Sequence, residues 1–364
     1  MSAAKSTIKD VAELAGCGIA TVSRVLNSSG PTSVETRERV LAAARMLGFQ
    51  FNEVGRSLKN QRSKTIGVLV PSLSNPVFAD AVQGIQQTAS ASGYNVILTC
   101  ANYDEKTEEE AVTTLLAKQV DGVVLTVSKP DNSRALQLLD DQRVPHCLIF
   151  NQPIEAQRAA VGVDNFAAAS LVARKLVELG HFNAAFVAVQ FAQSDRSADR
   201  YVGFSEYYET CEHPRPHLIE VDYAPGDLEI ALFNLFEKSP QTTALFASND
   251  MLALGCVRAL RALGKSVPND ISVVGFDGIA VADLVSPTLA TVSTPCHDMG
   301  SKATQLLISA FQEDGALPTG TISLPFEFRS GESLGPAKSK NADGRGATRP
   351  SALSATPFVT KYIK

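Results

Sequence analysis

The sequence predicts an α/β protein with a three-helix head at the N-terminus, followed by two lobes that are each built on a doubly wound parallel sheet. Three observations support this prediction. Two short helical patterns meet at a Gly-Cys-Gly turn at residues 16–18, apolar strands alternate with helical segments after residue 65, and the alternation restarts near residue 165. Such alternation is typical of parallel sheets covered on both faces, and it repeats too often for one small sheet.

The first two predicted helices form a helix-turn-helix. Apolar residues recur at helical spacing over residues 8–15, and Thr7 stands just before them, where it can cap the helix. Gly16 and Gly18 bracket a turn, and a second helix is predicted over about residues 19–26. In such a pair the second helix lies in the major groove of DNA. The turn alone leaves an alternative open, a packing hairpin that binds nothing.

A third helix completes the head. Ser33 can cap a helix over about residues 34–47, whose apolar stripe holds few large side chains. The head should therefore be small and marginally stable. Residues 48–64 are polar and basic with no adequate apolar face, so by themselves they predict a flexible linker.

From residue 65 onward, strands and helices alternate. In the first half we predict strands near 66–70, 95–99, 122–125 and 147–149, with helices ending near 92 and lying near 107–118 and 133–140. In the second half we predict strands near 185–189, 218–221, 244–247 and 272–275, with helices near 165–179, 197–210, 227–239 and 250–263. Each half should form its own parallel sheet.

Charge is unevenly distributed along the chain. The formal net charge is −5, yet residues 1–64 carry ten basic and five acidic side chains, which makes the head +5 and leaves −10 for the remainder. A basic head on an acidic body is typical of a protein whose head alone meets phosphates.

Several other classes of protein are disfavoured. Six cysteines and five histidines are scattered without metal-ligand or disulfide spacing, which fits a reducing cytoplasm. No glycine-rich phosphate loop follows a strand and no Gly-x-Ser-x-Gly elbow occurs, so we predict no cofactor, no metal and no catalytic residue. An enzyme on a doubly wound scaffold is the remote alternative. No signal peptide or membrane-spanning run is present, which predicts a cytoplasmic, nucleoid-associated protein without a membrane partner.

The amino-acid sequence of the head closely resembles that of one family. Thr7-Ile-Lys-Asp-Val-Ala12 and Ala20-Thr-Val-Ser-Arg-Val-Leu-Asn27 are similar to the LacI/GalR family of bacterial transcription regulators. Further matches in the lobes are Asn75-Pro-Val-Phe78, Val163-Asp-Asn165, Arg200-Tyr-Val-Gly-Phe204, Asn249-Asp250 and Val274-Gly-Phe-Asp277. The resemblance covers about residues 5–333. It implies lobes like those of type I periplasmic binding proteins, and a ligand-responsive regulator, most often a repressor, that binds a palindromic operator on double-stranded DNA as a homodimer.

The resemblance also divides the chain. It assigns residues 5–50 to the DNA-binding head, 51–64 to a hinge helix or linker, and 65–333 to a two-lobed effector-binding and dimerisation domain. Arg56, Ser57, Leu58 and Lys59 match the hinge helix, which folds on the operator with its leucine in the minor groove. Residues 334–364 are rich in Pro, Gly, Ser and Lys without periodicity, which predicts a disordered tail. The tail shows no leucine heptads, so a dimer is preferred over a tetramer.

For the DNA contacts, the resemblance implies base reading by Ile19, Ala20 and Arg24. Arg24 can donate two hydrogen bonds to guanine, whereas Ile19 and Ala20 offer only apolar contact. Packing of Ile19 in the core is the alternative. Contacts to the DNA backbone, or helix caps, are expected from Thr7, Thr21, Ser23, Asn27 and Ser33. The chain departs from the family at Cys17-Gly18, where a serine that contacts phosphate is usual.

For the effector, the resemblance implies a cleft between the lobes. The positions that match its lining are Phe78, Ser194, Arg196, Arg200, Tyr223, Asn249 and Asp277. Two alternatives stay open: Asp277 could only cap a loop, and Arg196 could be solvated. The family's acidic or Asn residue after the strand at 147–149 falls on Phe150 or Asn151, and the sequence does not decide between them.

The lining suggests the chemistry of the effector. Asn249 and Asp277 suit hydroxyl groups, while Arg196 beside Arg200 favours an anion. We therefore expect a sugar or a sugar acid of the aldonate kind, and a regulator of carbohydrate or sugar-acid metabolism genes. A purine is the alternative, but it would need aromatic faces on both sides, and Val77 stands where a second aromatic could have been.

Overall fold

The computed structural model describes residues 6–26, 30–49, 62–153, 158–222, 227–313 and 316–338. The predictions for Asn27, the hinge residues 56–59, Tyr223 and most of the tail fall outside these residues. Among the described residues, no helix is both long and apolar enough to cross a membrane.

The head consists of three helices, α1 (Ile8–Leu14), α2 (Ile19–Leu26) and α3 (Val34–Met46). Val11, Val22, Val25 and Val40 meet at their centre and are at most 4% exposed. The other buried side chains described for this core are alanines. The core is therefore as small as the sequence predicts, and a head of this size is expected to be marginally stable.

Lobe 1 is built on a six-stranded sheet in the order β11-β5-β4-β3-β1-β2, with every described pairing parallel. Its strands are β1 (Thr65–Val70), β2 (Asn95–Cys100), β3 (Gly122–Leu125), β4 (His146–Ile149), β5 (Ala159–Gly162) and β11 (Gly320–Ser323). Its helices are α4 (Pro76–Ala91), α5 (Glu105–Ala117), α6 (Arg134–Asp141) and α11 (Cys296–Glu313). The central strands are buried along almost their whole length, which explains their continuous apolar runs.

Lobe 2 repeats this plan with the order β12-β10-β9-β8-β6-β7. Its strands are β6 (Ala184–Val189), β7 (His217–Val221), β8 (Ala244–Ala247), β9 (Ser272–Asp277), β10 (Ala290–Ser293) and β12 (Glu327–Arg329). Its helices are α7 (Asn165–Glu178), α8 (Asp195–Thr210), α9 (Asp227–Lys238) and α10 (Asp250–Ala262). Among the strands that the structure describes, only the edge strand β12 pairs in the antiparallel direction, with β10.

The chain passes between the lobes three times. It leaves lobe 1 after β5, returns from β10 to α11, and crosses again between β11 and β12. The three crossings place the carboxyl ends of both parallel sheets on either side of one cleft.

Among the described strands and α-helices, five were not predicted from the sequence, namely β5, β10, β11, β12 and α11. The edge strands β11 and β12 are half-exposed, so they carry no continuous apolar run. Helix α11 did carry a helical signal, because Met299, Ala303, Leu307 and Phe311 recur every four residues and are all buried. Its place in lobe 1, against α4, is a consequence of the second crossing.

The predicted tail begins too early. The backbone amide of Ala337 donates to the carbonyl of Leu179 (2.9 Å), and a ring nitrogen of His181 contacts the carbonyl of Gly335 (2.8 Å). Lys338 forms an ion pair with Asp270 at 2.7 Å. The prediction of disorder is therefore wrong for residues 334–338, because backbone hydrogen bonds that composition does not reveal fix them to lobe 2.

Candidate functional site

The turn of the helix-turn-helix is a Schellman motif. Gly16 has φ +61°, a conformation that residues with a Cβ avoid. The amide of Cys17 donates to the carbonyl of Ala12 (3.1 Å) and that of Gly16 to the carbonyl of Glu13 (3.2 Å). Gly18 then begins α2, because its carbonyl accepts from Val22 (3.1 Å). The departure from the family's usual residues at Cys17-Gly18 therefore leaves the geometry of the turn intact.

Helix α2 separates core residues from surface residues. Val22 and Val25 are buried, whereas Ile19 is 45% exposed and Ala20 and Arg24 are also exposed. The alternative that Ile19 packs in the core is wrong. Arg24 bends back over the helix and donates from Nε to the carbonyl of Ala20 at 3.4 Å. The three predicted base-reading residues thus lie on one exposed face of the helix.

The predicted backbone-contacting residues have local roles as well. The amide and hydroxyl of Thr7 donate to the carboxylate of Asp10 (2.7 and 2.9 Å), and these bonds lower the pKa of Asp10. Ser33 caps α3 as predicted, because its hydroxyl accepts from the amide of Thr36 at 3.2 Å. Thr21 and Ser23 are half-buried on α2.

The cleft lies where the strands of both lobes end at their carboxyl termini, the usual place for a ligand in open α/β sheets. Its lining comprises Asn75, Val77, Phe78, Tyr103, Phe150, Val189, Ser194, Arg196, Ser197, Arg200, Ser248, Asn249 and Asp277. The six predicted effector residues that the structure describes all belong to this set.

Lobe 1 contributes an aromatic wall. Phe78 packs edge-on against Phe150 with ring centroids 5.2 Å apart, and against Tyr103 at 6.4 Å. Phe150 has φ +68° and Tyr103 φ +60°, which is unusual for residues with large side chains and often marks functional positions. Of the two positions after β4, Phe150 lines the cleft, whereas Asn151 is fully buried. Tyr103 was not among the predicted effector residues, although an aromatic residue just after a strand is a recognisable signal.

Arg200 is one of two buried arginines in the cleft. Its Nε donates to Asn165 Oδ1 (2.8 Å), its Nη1 donates to the carbonyl of Ser248, and its guanidinium lies 3.5 Å from the ring centroid of Phe276. Burial lowers the pKa of Arg200 to about 10, and Asp277 opposes this shift. The side chain therefore stays charged at neutral pH.

Asp277 faces Arg200 from the end of β9. Burial raises the pKa of Asp277 to about 8, against the opposing effect of Arg200. Its backbone has φ +123°, and its carbonyl accepts from the amide of Thr294 at 3.0 Å. The adjacent loop is fixed by Asp250, which accepts from the amides of Gly278 (2.8 Å) and Ile279 (2.9 Å). Near neutral pH the carboxyl group of Asp277 is mostly protonated, so it can donate as well as accept hydrogen bonds.

Two further cleft residues are helix caps. Asn249 accepts from the amide of Leu252 (2.8 Å) at the start of α10, and Ser194 accepts from the amide of Ser197 (3.4 Å) at the start of α8. Capping fixes where these side chains sit. A cap at a strand-to-helix turn is a signal that the sequence shows.

Arg196 is not solvated. It is 6% exposed, and its Nη1 contacts Asp195 Oδ1 at 2.8 Å. Asn151 of lobe 1 donates to both carboxylate oxygens of Asp195 at 3.0 Å. Asp195 was not among the predicted effector residues, because no local pattern in the sequence shows that it meets Asn151.

A second, larger cavity lies at the start of β4, between α6 and α11. Three of its polar groups form a network: Arg158 donates to both oxygens of Asp140 (2.9 and 2.6 Å) and contacts His146 at 2.9 Å. This cavity is at the opposite end of the lobe 1 strands from the cleft, and we assign it no role.

Comparison with known proteins identifies the family. Residues 7–52 match the bacterial regulatory proteins of the lacI family, and residues 63–326 match the periplasmic binding proteins and sugar binding domain of the LacI family. The chain belongs to the LacI family. It is a ligand-responsive transcription regulator.

Individual LacI-family relatives match along most of the chain. A ribose operon repressor of Halalkalibacterium halodurans is 35% identical over 312 residues, which is 85% of this chain and 91% of the relative. The structure of a transcriptional regulator CelR–cellobiose complex has a TM-score of 0.68 and 28% identity, covering 91% of this chain and all of the other. The Lac repressor dimer bound to operator and the anti-inducer ONPF has a TM-score of 0.80 and 26% identity, covering 90% of this chain and 99% of the other.

The exposed face of α2 leads to a prediction for this LacI-family head. We expect Arg24→Ala to weaken operator binding by about 10- to 100-fold and to relax the preference at one base pair, because a bidentate arginine–guanine contact contributes about 1–3 kcal/mol. Thr21→Ala, at a predicted backbone contact, should weaken binding equally for all sequences. Fluorescence anisotropy with operators varied one base pair at a time would separate the two. A uniform loss for Arg24→Ala would contradict its role in base reading.

Proposed function

We propose that the protein is a repressor that binds a palindromic operator as a homodimer and is controlled by a small carbohydrate in the interlobe cleft. The observation that carries the proposal is the lining of the cleft, which consists of aromatic rings on lobe 1 and hydrogen-bonding groups on lobe 2. Stacking faces combined with a few oriented polar groups suit a sugar. The ribose operon repressor and the CelR–cellobiose complex among the similar proteins support this choice.

The hinge prediction completes the mechanism that we propose. Arg56, Ser57, Leu58 and Lys59 would fold into a helix on the operator, and the effector would favour one arrangement of the lobes. Operator DNA and the effector each prefer one arrangement of the lobes and hinges. Each therefore changes the affinity of the protein for the other by the same factor. We also propose that the protein has no catalytic activity and acts in the cytoplasm, as its relatives' role in transcription supports.

Selection of bound DNA from a random pool tests the operator proposal. Two heads related by a two-fold axis require symmetric half-sites, so the full-length protein should select an inverted repeat. A consensus without a repeat would contradict the proposed dimer. Calorimetric titration with aldoses, polyols, aldonates and purines then tests which effector binds. The affinity for the selected DNA, measured with and without that effector, shows whether the effector weakens or strengthens operator binding.

A purine is the second candidate, and one observation favours it. The sequence analysis found no second aromatic beside Phe78, whereas the structure brings Phe150 and Tyr103 against it. However, the described rings meet edge-on, and a flat base would need parallel faces. Binding of purines alone in the titration would replace the carbohydrate.

Ser248 offers a test at the level of one atom. It is 1% exposed and lines the cleft, and its Oγ has no partner among the described residues. We expect Ser248→Ala to weaken the binding of the sugar that the titration identifies by about 3- to 10-fold, the contribution of one hydrogen bond. The thermal stability of the ligand-free protein should hold or rise, because a buried unsatisfied hydroxyl is removed.

Ser205 is the matched control for this measurement. Its Oγ is equally buried and also lacks a partner among the described residues, but Ser205 is not part of the cleft. Ser205→Ala should leave sugar affinity unchanged. Equal sugar affinities for the two variants would show that Ser248 does not contact the ligand.

A further inference from the structure

Two arginines line the cleft, and such a pair would ordinarily favour an anionic ligand. The structure shows that Arg196 already has an acidic partner. Its Nη1 lies 2.8 Å from Asp195 Oδ1, with side chains 7% and 18% exposed. A contact this short between two largely buried groups removes most of the field that Arg196 would project into the cleft.

Asp195 is held in place by lobe 1. Asn151 donates from Nδ2 to both oxygens of Asp195 (3.0 Å each) and to the carbonyl of Val127 (2.8 Å), while its Oδ1 accepts from the amide of Val127 (3.0 Å). The carbonyl of Val127 also accepts from Arg196 Nη1 at 3.4 Å. The ion pair on α8 of lobe 2 is therefore oriented by contacts from lobe 1, which oppose a rotation of either side chain toward a ligand.

Arg200, the second cation, already donates to Asn165 Oδ1 and to the carbonyl of Ser248. Its charge is also opposed by the carboxylates of Asp195 and Asp199, which lie one helical turn apart on α8. A ligand carboxylate would have to compete with Asp195 for Arg196 while losing its hydration, which is costly when no free cation repays it. Hydroxyl groups meet no such obstacle.

We propose that Asp195 is a specificity-determining residue, which neutralises Arg196 and so selects an uncharged polyhydroxylated effector over the corresponding sugar acid. This inference rests on the proposed carbohydrate effector. It reverses the expectation of an anion that the arginine pair alone suggests.

Calorimetric titration of the full chain with matched pairs of ligands tests the inference. The pairs are a neutral pentose, hexose and disaccharide, each with the aldonate made from it, so that the members differ in one carboxylate. For the sugar that binds, the wild type should prefer the aldose by at least about 10-fold, and Asp195→Asn should shift this ratio toward the aldonate by about 10-fold. Asparagine keeps the shape of the side chain and removes only the charge.

Two further variants control for charge and for folding. Asp199→Asn removes a carboxylate from the same helix but not the partner of Arg196, so it should shift the ratio far less. In the double variant Asp195→Asn with Arg196→Gln, neither charge remains, and the preference for the aldose should return. If circular dichroism shows that Asp195→Asn does not fold, Arg196→Gln alone remains informative. In that variant the charge of Asp195 is no longer balanced, so the preference for the aldose over the aldonate should increase.

The outcomes distinguish this inference from the proposed function. An aldonate that binds wild type as tightly as its aldose would overturn the inference and leave the carbohydrate effector standing. An equal shift for Asp195→Asn and Asp199→Asn would also overturn it. If no sugar or aldonate bound at all, the carbohydrate proposal would fall, and this inference with it.

Discussion

Replacement of Arg200 by alanine is expected to abolish the response to the effector and to lower the stability of the lobes. The substitution leaves Asn165 Oδ1 and the carbonyl of Ser248 without their donor and Asp277 without its nearby cation. Breaking one side of such a buried network costs about 2–4 kcal/mol. We expect the melting temperature to fall by about 5–15 °C and effector affinity to fall by about 100-fold or more.

The same variant should show a defined pH dependence. In the folded protein the pKa of Asp277 is raised to about 8, so the stability linked to its proton is present at low pH and is lost as pH rises through that value. Without Arg200 the pKa of Asp277 should rise further. The pH range over which the folded state loses stability should therefore extend to higher pH. The gap in melting temperature between wild type and Arg200→Ala should therefore be wider at pH 9 than at pH 6.

Arg215→Ala is the matched control for Arg200→Ala. Arg215 is 55% exposed by its side chain and pairs with Glu209 on the surface at 3.0 Å. Removing a surface pair should cost less than about 1 kcal/mol, with no effect on effector binding. A similar loss of stability in both variants would argue against the network around Arg200.

Substitution of Val22 by asparagine is expected to abolish specific operator binding while leaving the effector site intact. Val22 is fully buried in the valine and alanine core of the head. The change removes apolar contacts and buries an amide, at a cost of about 3–5 kcal/mol, which a domain with so small a core does not survive. Operator affinity should fall by about 1,000-fold or more, to the level of non-specific binding.

Met46→Asn provides the comparison for Val22→Asn. Met46 is 80% exposed on α3, and neither substitution changes the charge of the head. It should leave operator affinity within about twofold of wild type, since exposed positions tolerate such changes. Effector affinity should be unchanged in both variants, because the core of the head contains no residue of the lobes. Loss of sugar binding in Val22→Asn would contradict this independence of the head.

The sequence by itself determined the helix-turn-helix and the two parallel sheets. Helix periodicity, the glycine turn and the apolar runs are local signals, and local signals survive without knowledge of the packing. The resemblance to the LacI/GalR family also implied that Phe78, Ser194, Arg200, Asn249 and Asp277 line one cleft, and the structure brings these five residues together there.

Only the tertiary structure decided the charge of the cleft. Arg196 beside Arg200 predicted an anion site, but Asn151 and Asp195 lie 44 positions apart in the chain, on different lobes, and together they orient the partner of Arg196. The same is true of Phe150, which faces the cleft through a positive φ that no composition predicts, and of residues 334–338, which backbone hydrogen bonds fix to lobe 2. The sequence states which side chains are charged. Whether a charge is paired depends on neighbours that the chain's three crossings bring together. The energy of the pair then depends on how deeply it is buried.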